Sequence, residues 1–347
     1  MLGSAGREEG VPVPESPLSI LPAVFAESPL SVFPESPMRA VVAGGAGFIG
    51  SYLCTALADR GDEVHCVDDL SSGSEENIAH LIDRPGFSFS RHDITVGLDV
   101  PGTIDAVLDL ASPASPKDYL ARPIPTLEVG SAGTRNCLEL AEKAGAVFLL
   151  TSTSEVYGDP EVHPQPESYW GRVNPIGIRS VYDEAKRYAE ALTFAFQRDR
   201  GADVRVARIF NTYGPRLRPS DGRVVSNFLD QALTGRPLSV YGDGSQTRSL
   251  CFVDDQVAGL LALLASGCSG PVNIGNPEEV TVLELAERVI ALTGTSSGIV
   301  FEPLPADDPT RRCPDISRAR EMLGWEPRIP LDEGLARTAE WMKTIVA

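Results

Sequence analysis

From residue 39 onward the chain switches repeatedly between two patterns. RAVVAG (39–44), DEVHCVDDL (62–70), FSFSRHDI (87–94), IDAVLDLA (104–111), VFLLTSTSEV (147–156) and VRVARIFN (204–211) are short runs rich in apolar and β-branched residues, and they predict strands. Between them lie stretches with apolar residues three and four apart. SYLCTALADRG follows the first run, and the clearest others cover 132–144 and 182–199; these predict helices. Strand–helix alternation with largely apolar strands predicts an α/β fold, a doubly wound parallel sheet covered on both faces.

Past residue 211 the alternation loosens. NTYGPRLRPSDGR (211–223) and VYGDGSQTRS (240–249) read as loops rich in glycine and arginine, and helices are expected at 224–234, 253–266, 282–292 and 316–323. The expected organisation is a sheet domain over 38–211, completed by a strand and helix from about 250–275. A smaller C-terminal α/β lobe over 212–347 packs on the sheet's C-terminal edge. Residues 1–37 follow neither pattern: ESPLS occurs at 15–19 and again at 27–31, and ESPM at 35–38. Closely spaced prolines remove N–H donors and fix φ, so a disordered Pro/Ser-rich extension is expected. LSILPAVFA suggests a secretory signal, but a proline interrupts it and GREEG ahead of it carries no basic excess.

Composition narrows the partners. The chain has 347 residues, 42% hydrophobic and 22% charged, with a formal charge of −18. That mean field disfavours nucleic acid and anionic membranes, and no run of eighteen apolar residues occurs. The six cysteines (54, 66, 137, 251, 268, 313) form no CxxC pair and the four histidines (65, 80, 92, 163) no i, i+4 pair. No metal site is expected, and reduced thiols point to a cytoplasmic protein.

VVAGGAGFIGSYL (41–53) carries the first chemistry. Gly44, Gly47 and Gly50 leave a strand and open a helix, with Phe48 and Ile49 between them. In that setting one glycine makes the turn, one lets backbone approach a pyrophosphate, and one lets helix and strand pack closely. Asp68 ends the next strand, 18 residues after Gly50, where a carboxylate accepts from ribose hydroxyls. Asp69 follows, and LSSGSEEN has no Arg or Lys to meet a 2′-phosphate, so NAD is favoured over NADP. Asp93, beside Ile94, is read either as an acceptor for the adenine amino group or as a strand-end cap. These features predict a Rossmann-type NAD-binding domain over 38–211 and a substrate-binding lobe over 212–347.

Tyr182 and Lys186 stand four apart on one helix face. An ammonium beside a phenol favours the phenolate, which can take a proton from a sugar hydroxyl. By itself such a pair is equally a surface coincidence. It follows LLTSTSEVYG (149–158), however, which delivers Thr153, Ser154 and Glu155 to the edge where a parallel sheet opens its crevice.

Together these residues resemble the extended short-chain dehydrogenases/reductases. Longer strings narrow the likeness to the UDP-glucuronate decarboxylase (UDP-xylose synthase) family: HDIT (92–95), LASPASPKDY (110–119), STSEVYGDPEVHPQPESYWG (152–171), NPIG (174–177), YDEAKR (182–187), ARIFNTYGPR (207–216), DGRVVSNF (221–228), VYGDGSQTRS (240–249), NIGNPEE (273–279), DDPTRRCPDI (307–316) and LGWEP (323–327). The resemblance spans about 38–343 and implies a redox-neutral lyase acting on UDP-glucuronate with NAD. It implies Tyr182 as base, Lys186 as its tuner and ribose ligand, Thr153 as a donor to the developing oxygen charge, and Ser154 and Glu155 beside the reacting ring. Arg223 is implied to contact substrate, together with Tyr241 in VYGDGSQTRS. Arg248 suits a diphosphate, or is a surface arginine. Asn211 and Arg216 are read as substrate contacts or loop braces. A homodimer through 132–144 and 182–199 is implied as well. The related alternatives are a nucleotide-sugar 4-epimerase, a 4,6-dehydratase, or a non-catalytic nucleotide sensor. Ser154 stands where the dehydratases carry an Asp acid. Three departures stand out: Ala185 replaces the usual Gly of YDEGK, Gly130 replaces a common Asn, and Leu250 a common aromatic.

Overall fold

The apolar runs do become parallel strands, each shorter than its run. The computed structural model describes residues 36–219, 221–304 and 311–346. The expected extension, 1–37, lies outside the described residues except for its last two. Strands β1 (Arg39–Ala43), β2 (Glu63–Asp68), β3 (Phe87–Arg91), β4 (Ala106–Asp109), β5 (Val147–Thr153), β6 (Val204–Ile209) and β11 (Pro271–Ile274) form one seven-stranded sheet in the order β11-β6-β5-β4-β1-β2-β3. All its pairings are parallel.

Alternate residues of these strands feed two cores. Ala40, Val42, Cys66, Leu108, Leu149 and Ala207 pack beneath α1 (Phe48–Arg60) and α7 (Val253–Ala265). Val41, Ala43, Val67, Val107, Phe148, Leu150 and Val206 face α4 (Thr134–Ala144) and α5 (Ser180–Arg200). Burying both faces explains why β1, β4 and the start of β5 are continuously apolar, whereas the edge strand β3, FSFSR, alternates and is only part-buried. Each fully buried aliphatic side chain contributes about 1.5–3 kcal/mol.

Two helical stretches lie outside the expected ones. Prolines at the first helical positions start α2 (Pro116–Ala121) and α3 (Pro123–Glu128), and a π-type turn over Val129–Gly133 joins α3 to α4. The other is α10 (Leu331–Val346). The remaining strands make three two-stranded sheets: β7 (Thr212–Tyr213) with β10 (Cys251–Phe252), β9 (Thr247–Ser249) with β12 (Glu279–Thr281), and β8 (Leu238–Tyr241) with β13 (Ile299–Glu302). They are packed with α6 (Val224–Leu233) and α8 (Val282–Thr293), while α9 (Ser317–Leu323) lies against β11 and α7. No helix among the described residues is long and apolar enough to cross a membrane.

Candidate active site

The glycine loop leaves β1 at the centre of the sheet. Gly44 has φ +75°, and a Cβ there would lie 2.7 Å from the backbone of Leu110 and Ala111. A Cβ on Gly50 would lie 2.1 Å from the Gly44 carbonyl oxygen. Only glycine fits either place. Helix α1 begins at Phe48 without any side-chain cap and with no acidic residue in its first turn. Its free N–H groups and positive dipole end therefore face an open cleft, the arrangement that binds phosphate.

Asp68 closes the loop from below. Its carboxylate accepts from the Ala46 N–H (3.0 Å) and the Leu70 N–H (2.8 Å). Burial pushes its pKa up and these two hydrogen bonds pull against it. Asp68, Asp69, Asp93, Ile94 and Arg122 line a pocket of about 120 Å³. Asp93 also caps a short turn through the Thr95 N–H (2.8 Å), the strand-end role that stood as its alternative. Arg122, brought from the α2–α3 junction, donates to the Ser71 carbonyl (2.7 Å), so a cation is present near the second-strand loop after all. No spacing rule reaches a residue some fifty positions away. The cradle fits a dinucleotide: glycines where a Cβ would fill the groove, an uncapped helix start, and a strand-end carboxylate.

The pocket opens into a larger cavity of about 550 Å³. Gly44, Gly47, Phe48, Ile49 and Gly50 line one end of it. Thr153, Ser154, Glu155, Tyr182, Lys186, Asn211, Arg216, Arg223, Tyr241 and Arg248 line the rest. Every residue singled out from the sequence thus borders one of the two adjoining pockets.

Lys186 departs from expectation in its electrostatics. Its ammonium donates to the Thr151 carbonyl (2.9 Å), and its charge is supported by Asp109 and Glu190 against the cost of burial, which lowers its pKa. It does not draw the Tyr182 phenol down. Burial instead pushes Tyr182 up to about 12, against a pull from the Thr153 hydroxyl, with Glu155 acting upward and Arg223 downward. In this arrangement Tyr182 is a neutral phenol, stacked on Tyr119 with ring centroids 5.2 Å apart and planes 9° from parallel.

Tyr119, Arg179 and Arg312 are the site residues that sequence reasoning missed. Arg312 is almost fully buried; it donates to the Ser154 carbonyl (2.5 Å) and to Glu155 Oε2 (3.1 Å). Arg179 donates to the same Glu155 oxygen (2.9 Å). Burial acts upward on Glu155, but Arg312 and Arg179 overcome it and hold the carboxylate below its usual range. Asp183 is the counterpart: burial, then the Glu155 charge, pushes it up to about 7, and its Oδ1 has no hydrogen-bond partner. Tyr119 and Arg312 lie inside the strings LASPASPKDY and DDPTRRCPDI, where the resemblance alone was the signal. Arg179 lies between NPIG and YDEAKR, where no signal marks it.

The outer contacts differ among themselves. Arg223 pairs with Asp221 (2.9 Å). Arg216, at φ +67°, donates to Ser51 Oγ (3.1 Å) and lies over the Tyr52 ring at 4.5 Å, bracing its loop against α1 while bordering the cavity. Arg248 donates to the Thr247 carbonyl (2.8 Å). Two of the departures from the family pattern meet. Gly130 lies in the π-type turn, and a Cβ there would fall 2.8 Å from the Ala185 Cβ and 3.0 Å from its carbonyl oxygen. The methyl of Ala185 occupies the space a side chain at 130 would need.

Comparison with known proteins agrees with this fold. The NAD dependent epimerase/dehydratase family matches residues 40–275. UDP-glucuronic acid decarboxylase 1 of Arabidopsis thaliana is 53% identical over 300 residues, covering 86% of this chain and 68% of its own length. Among solved structures, DesIV (dTDP-glucose 4,6-dehydratase) of Streptomyces venezuelae with NAD and TYD bound has a TM-score of 0.81 at 30% identity, covering 89% of this chain and 98% of that one. A mutant UDP-glucuronic acid 4-epimerase of Bacillus cereus, in complex with UDP-4-deoxy-4-fluoro-glucuronic acid and NAD, has a TM-score of 0.79 at 28% identity, covering 89% and 100%.

Proposed function

The chain belongs to the NAD dependent epimerase/dehydratase family, and from that premise we propose that it is an NAD-dependent UDP-glucuronate decarboxylase, a carboxy-lyase forming UDP-xylose and CO2 with no net redox change. One observation carries the substrate class. The whole chain is strongly anionic, yet Arg179, Lys186, Arg216, Arg218, Arg223, Arg248 and Arg312 line the large cavity against only Asp118, Glu155 and Asp221. A diphosphate bearing a sugar carboxylate is the ligand such a local excess suits.

The glycine cradle, the α1 N-terminus and Asp68 hold the dinucleotide, with Asp93 and Ile94 on its adenosine side. When bound, NAD supplies reversible hydride acceptance from the sugar's C4. Tyr182 would take the C4 hydroxyl proton, its phenol drawn down from its raised value by cationic charge in the occupied site. Lys186 holds the nicotinamide ribose. With C4 at the ketone level, the carboxylate on C5 is β to a carbonyl, so its C–C bond breaks and the electron pair moves to the C4 oxygen. Tyr182, now protonated, and Thr153 donate to that oxygen; a proton then goes to C5, and return of the two electrons to C4 with the Tyr182 proton to its oxygen would give UDP-xylose. Ser154 and Glu155 sit beside the ring, and Glu155 stays ionised because Arg179 and Arg312 flank it. Arg223, Tyr241 and Arg248, with Asn211 and Arg216, line the nucleotide end.

The same reading divides the chain into an NAD-binding domain over 38–211, completed by α7 and β11, and a substrate lobe mainly over 212–347. It makes the enzyme a cytoplasmic homodimer. The exposed apolar side chains Ile124 and Leu127 on α3 and Tyr188 on α5 support an interface slightly ahead of the 132–144 stretch, and six buried free cysteines support a reducing compartment. Sedimentation at micromolar concentration tests the dimer.

The deciding experiment incubates the purified chain with UDP-glucuronate and follows product mass and evolved CO2. Decarboxylation with only catalytic NAD is expected. A product of unchanged mass makes it an epimerase, loss of water a dehydratase, and no turnover with tight nucleotide binding a sensor.

A further inference from the structure

We infer that His163, Glu279 and Cys313 form a site for one borderline divalent cation of the zinc class. It is separate from the reaction assigned above and does not depend on it. His163 lies in the loop beyond β5, Glu279 opens β12, and Cys313 directly follows Arg312. Their donor atoms, an imidazole nitrogen, a carboxylate oxygen and a thiol sulfur, all lie within 4.8 Å of one another. Bond lengths of about 2.0–2.3 Å to a tetrahedral zinc ion require donor separations of roughly 3.3–3.7 Å. Side-chain movements of about an ångström therefore close the set.

The donor types decide the ion. One nitrogen, one oxygen and one sulfur select zinc or cobalt over magnesium or calcium, which prefer oxygen alone. A neutral imidazole, a carboxylate and a thiolate bring two negative charges against the two positive charges of the ion. His163 and Glu279 keep 28% and 27% of their side chains exposed while Cys313 is buried, so an ion has a path in and the sulfur is shielded behind it.

The surroundings fix the donors as ligand-supporting contacts do. Gln165 exchanges two hydrogen bonds with Cys313: the Gln165 N–H donates to the Cys313 carbonyl and the Cys313 N–H to Gln165 Oε1, each at 2.9 Å. Thr247 Oγ1 donates to the Glu279 oxygen turned away from His163 (2.5 Å). Two protons oppose the ion. One lies between His163 Nε2 and Glu279 Oε2, which are 2.8 Å apart; the other is on the thiol, which faces the Pro277 carbonyl at 3.3 Å. A bound ion displaces both, so binding releases protons. No spacing motif announces these residues because the fold gathers them from three distant segments. The ion ties the segment carrying Arg312 to the β9–β12 ladder carrying Arg248.

The full chain, stripped with chelator, is titrated with Co2+ and then Zn2+. One Co2+ per chain is expected, with tetrahedral d–d bands and a thiolate-to-cobalt charge-transfer band, all bleached by zinc. Cys313→Ser abolishes the charge-transfer band, and Cys313→Ser and His163→Ala each weaken binding at least tenfold. The other five cysteines remain in the serine variant, so a thiolate site elsewhere keeps its band there and overturns the proposal. Co2+ affinity equal in wild type and both variants also overturns it, as does the absence of a cobalt–thiolate band in wild type. Thermal melts guard against misfolded variants: zinc raises the midpoint of the wild type, and leaves unchanged both variants, which melt cooperatively without metal.

Discussion

Where the cleft passes under α1, it is made of backbone; where it passes over β5 and α5, it is made of side-chain charge. The first half depends on what is missing: no Cβ at Gly44 or Gly50, and no side-chain cap on α1. The second depends on what is present: Glu155 and Asp183 set against Arg179 and Arg312, with Tyr119 stacked on Tyr182. A backbone cradle tolerates any side chain that points away from it. A buried charge network is sensitive at every member, because removing one partner leaves another desolvated and unpaired. Substitutions should therefore affect the two halves differently, in chemistry on one side and in cofactor retention on the other.

The largest separation is expected from Tyr182→Phe. The ring and its stacking on Tyr119 remain, but the hydroxyl is gone. Turnover should fall by about 10²–10⁴-fold, the usual weight of a general acid–base group. The dinucleotide retained on purification should be unchanged. Equal turnover in the variant removes Tyr182 as the base. Arg312→Met comes next and tests the network itself. It leaves Glu155 buried with one cation instead of two, and a cost of about 3–5 kcal/mol is expected in urea unfolding. Adding Glu155→Gln should recover part of that loss. The exposed pair Lys143–Asp99 is the control, worth under about 1 kcal/mol. Equal costs for the two pairs would mean that the buried network is no more sensitive than the surface.

The same contrast explains what the sequence revealed. The cofactor half was legible because glycine spacing between a strand and a helix has few other uses. Asp68 was legible because a strand's end fixes where its side chain points. Thr153, Ser154 and Glu155 followed from the end of β5. Arg312 was not legible: it reaches Glu155 across 157 positions, and nothing local in DPTRRCP marks one arginine as buried. Nor was the direction of Lys186, because helical spacing puts it on the face of Tyr182 without saying that Thr151 and Asp109 hold it. Helices α2 and α3 escaped notice because each is six residues long, too short for a period to show.

Asp183 sharpens the comparison through pH. Its carboxyl is raised in the folded chain, from an ordinary value near 3.8 to about 7, by burial and by Glu155. The folded form thus holds this proton more tightly than the unfolded chain. The stability this provides is complete below about pH 4 and is lost as pH rises through 7. Asp183→Asn has no such proton to lose. It should match wild type at pH 4 and exceed it at pH 8 by on the order of 2–4 kcal/mol, three pKa units setting the ceiling. Urea midpoints at the two pH values check this; a variant less stable at pH 8 contradicts the raised carboxyl.

The smallest effect concerns the place where backbone and charge meet. Gly130 sits in the π-type turn against α5, with Ala185 one residue before Lys186. A methyl at 130 overlaps the Ala185 methyl and crowds its carbonyl, so Gly130→Ala should cost about 1–3 kcal/mol by overpacking. Since α5 carries both Tyr182 and Lys186, the same push should lower turnover and shift its pH profile. Ala185→Gly alone weakens the helix by about 0.5–1 kcal/mol. If the two positions compete for one space, the double variant should be less impaired than the two single losses combined, in stability and in turnover alike. The carbonyl contact at 3.0 Å remains, so the recovery should be partial. Strict additivity in the cycle would mean that the two departures from the family pattern are independent. Coupling would mean that Gly130 and Ala185 share one space, and that the sum of the two side chains sets the distance between the π-type turn and α5.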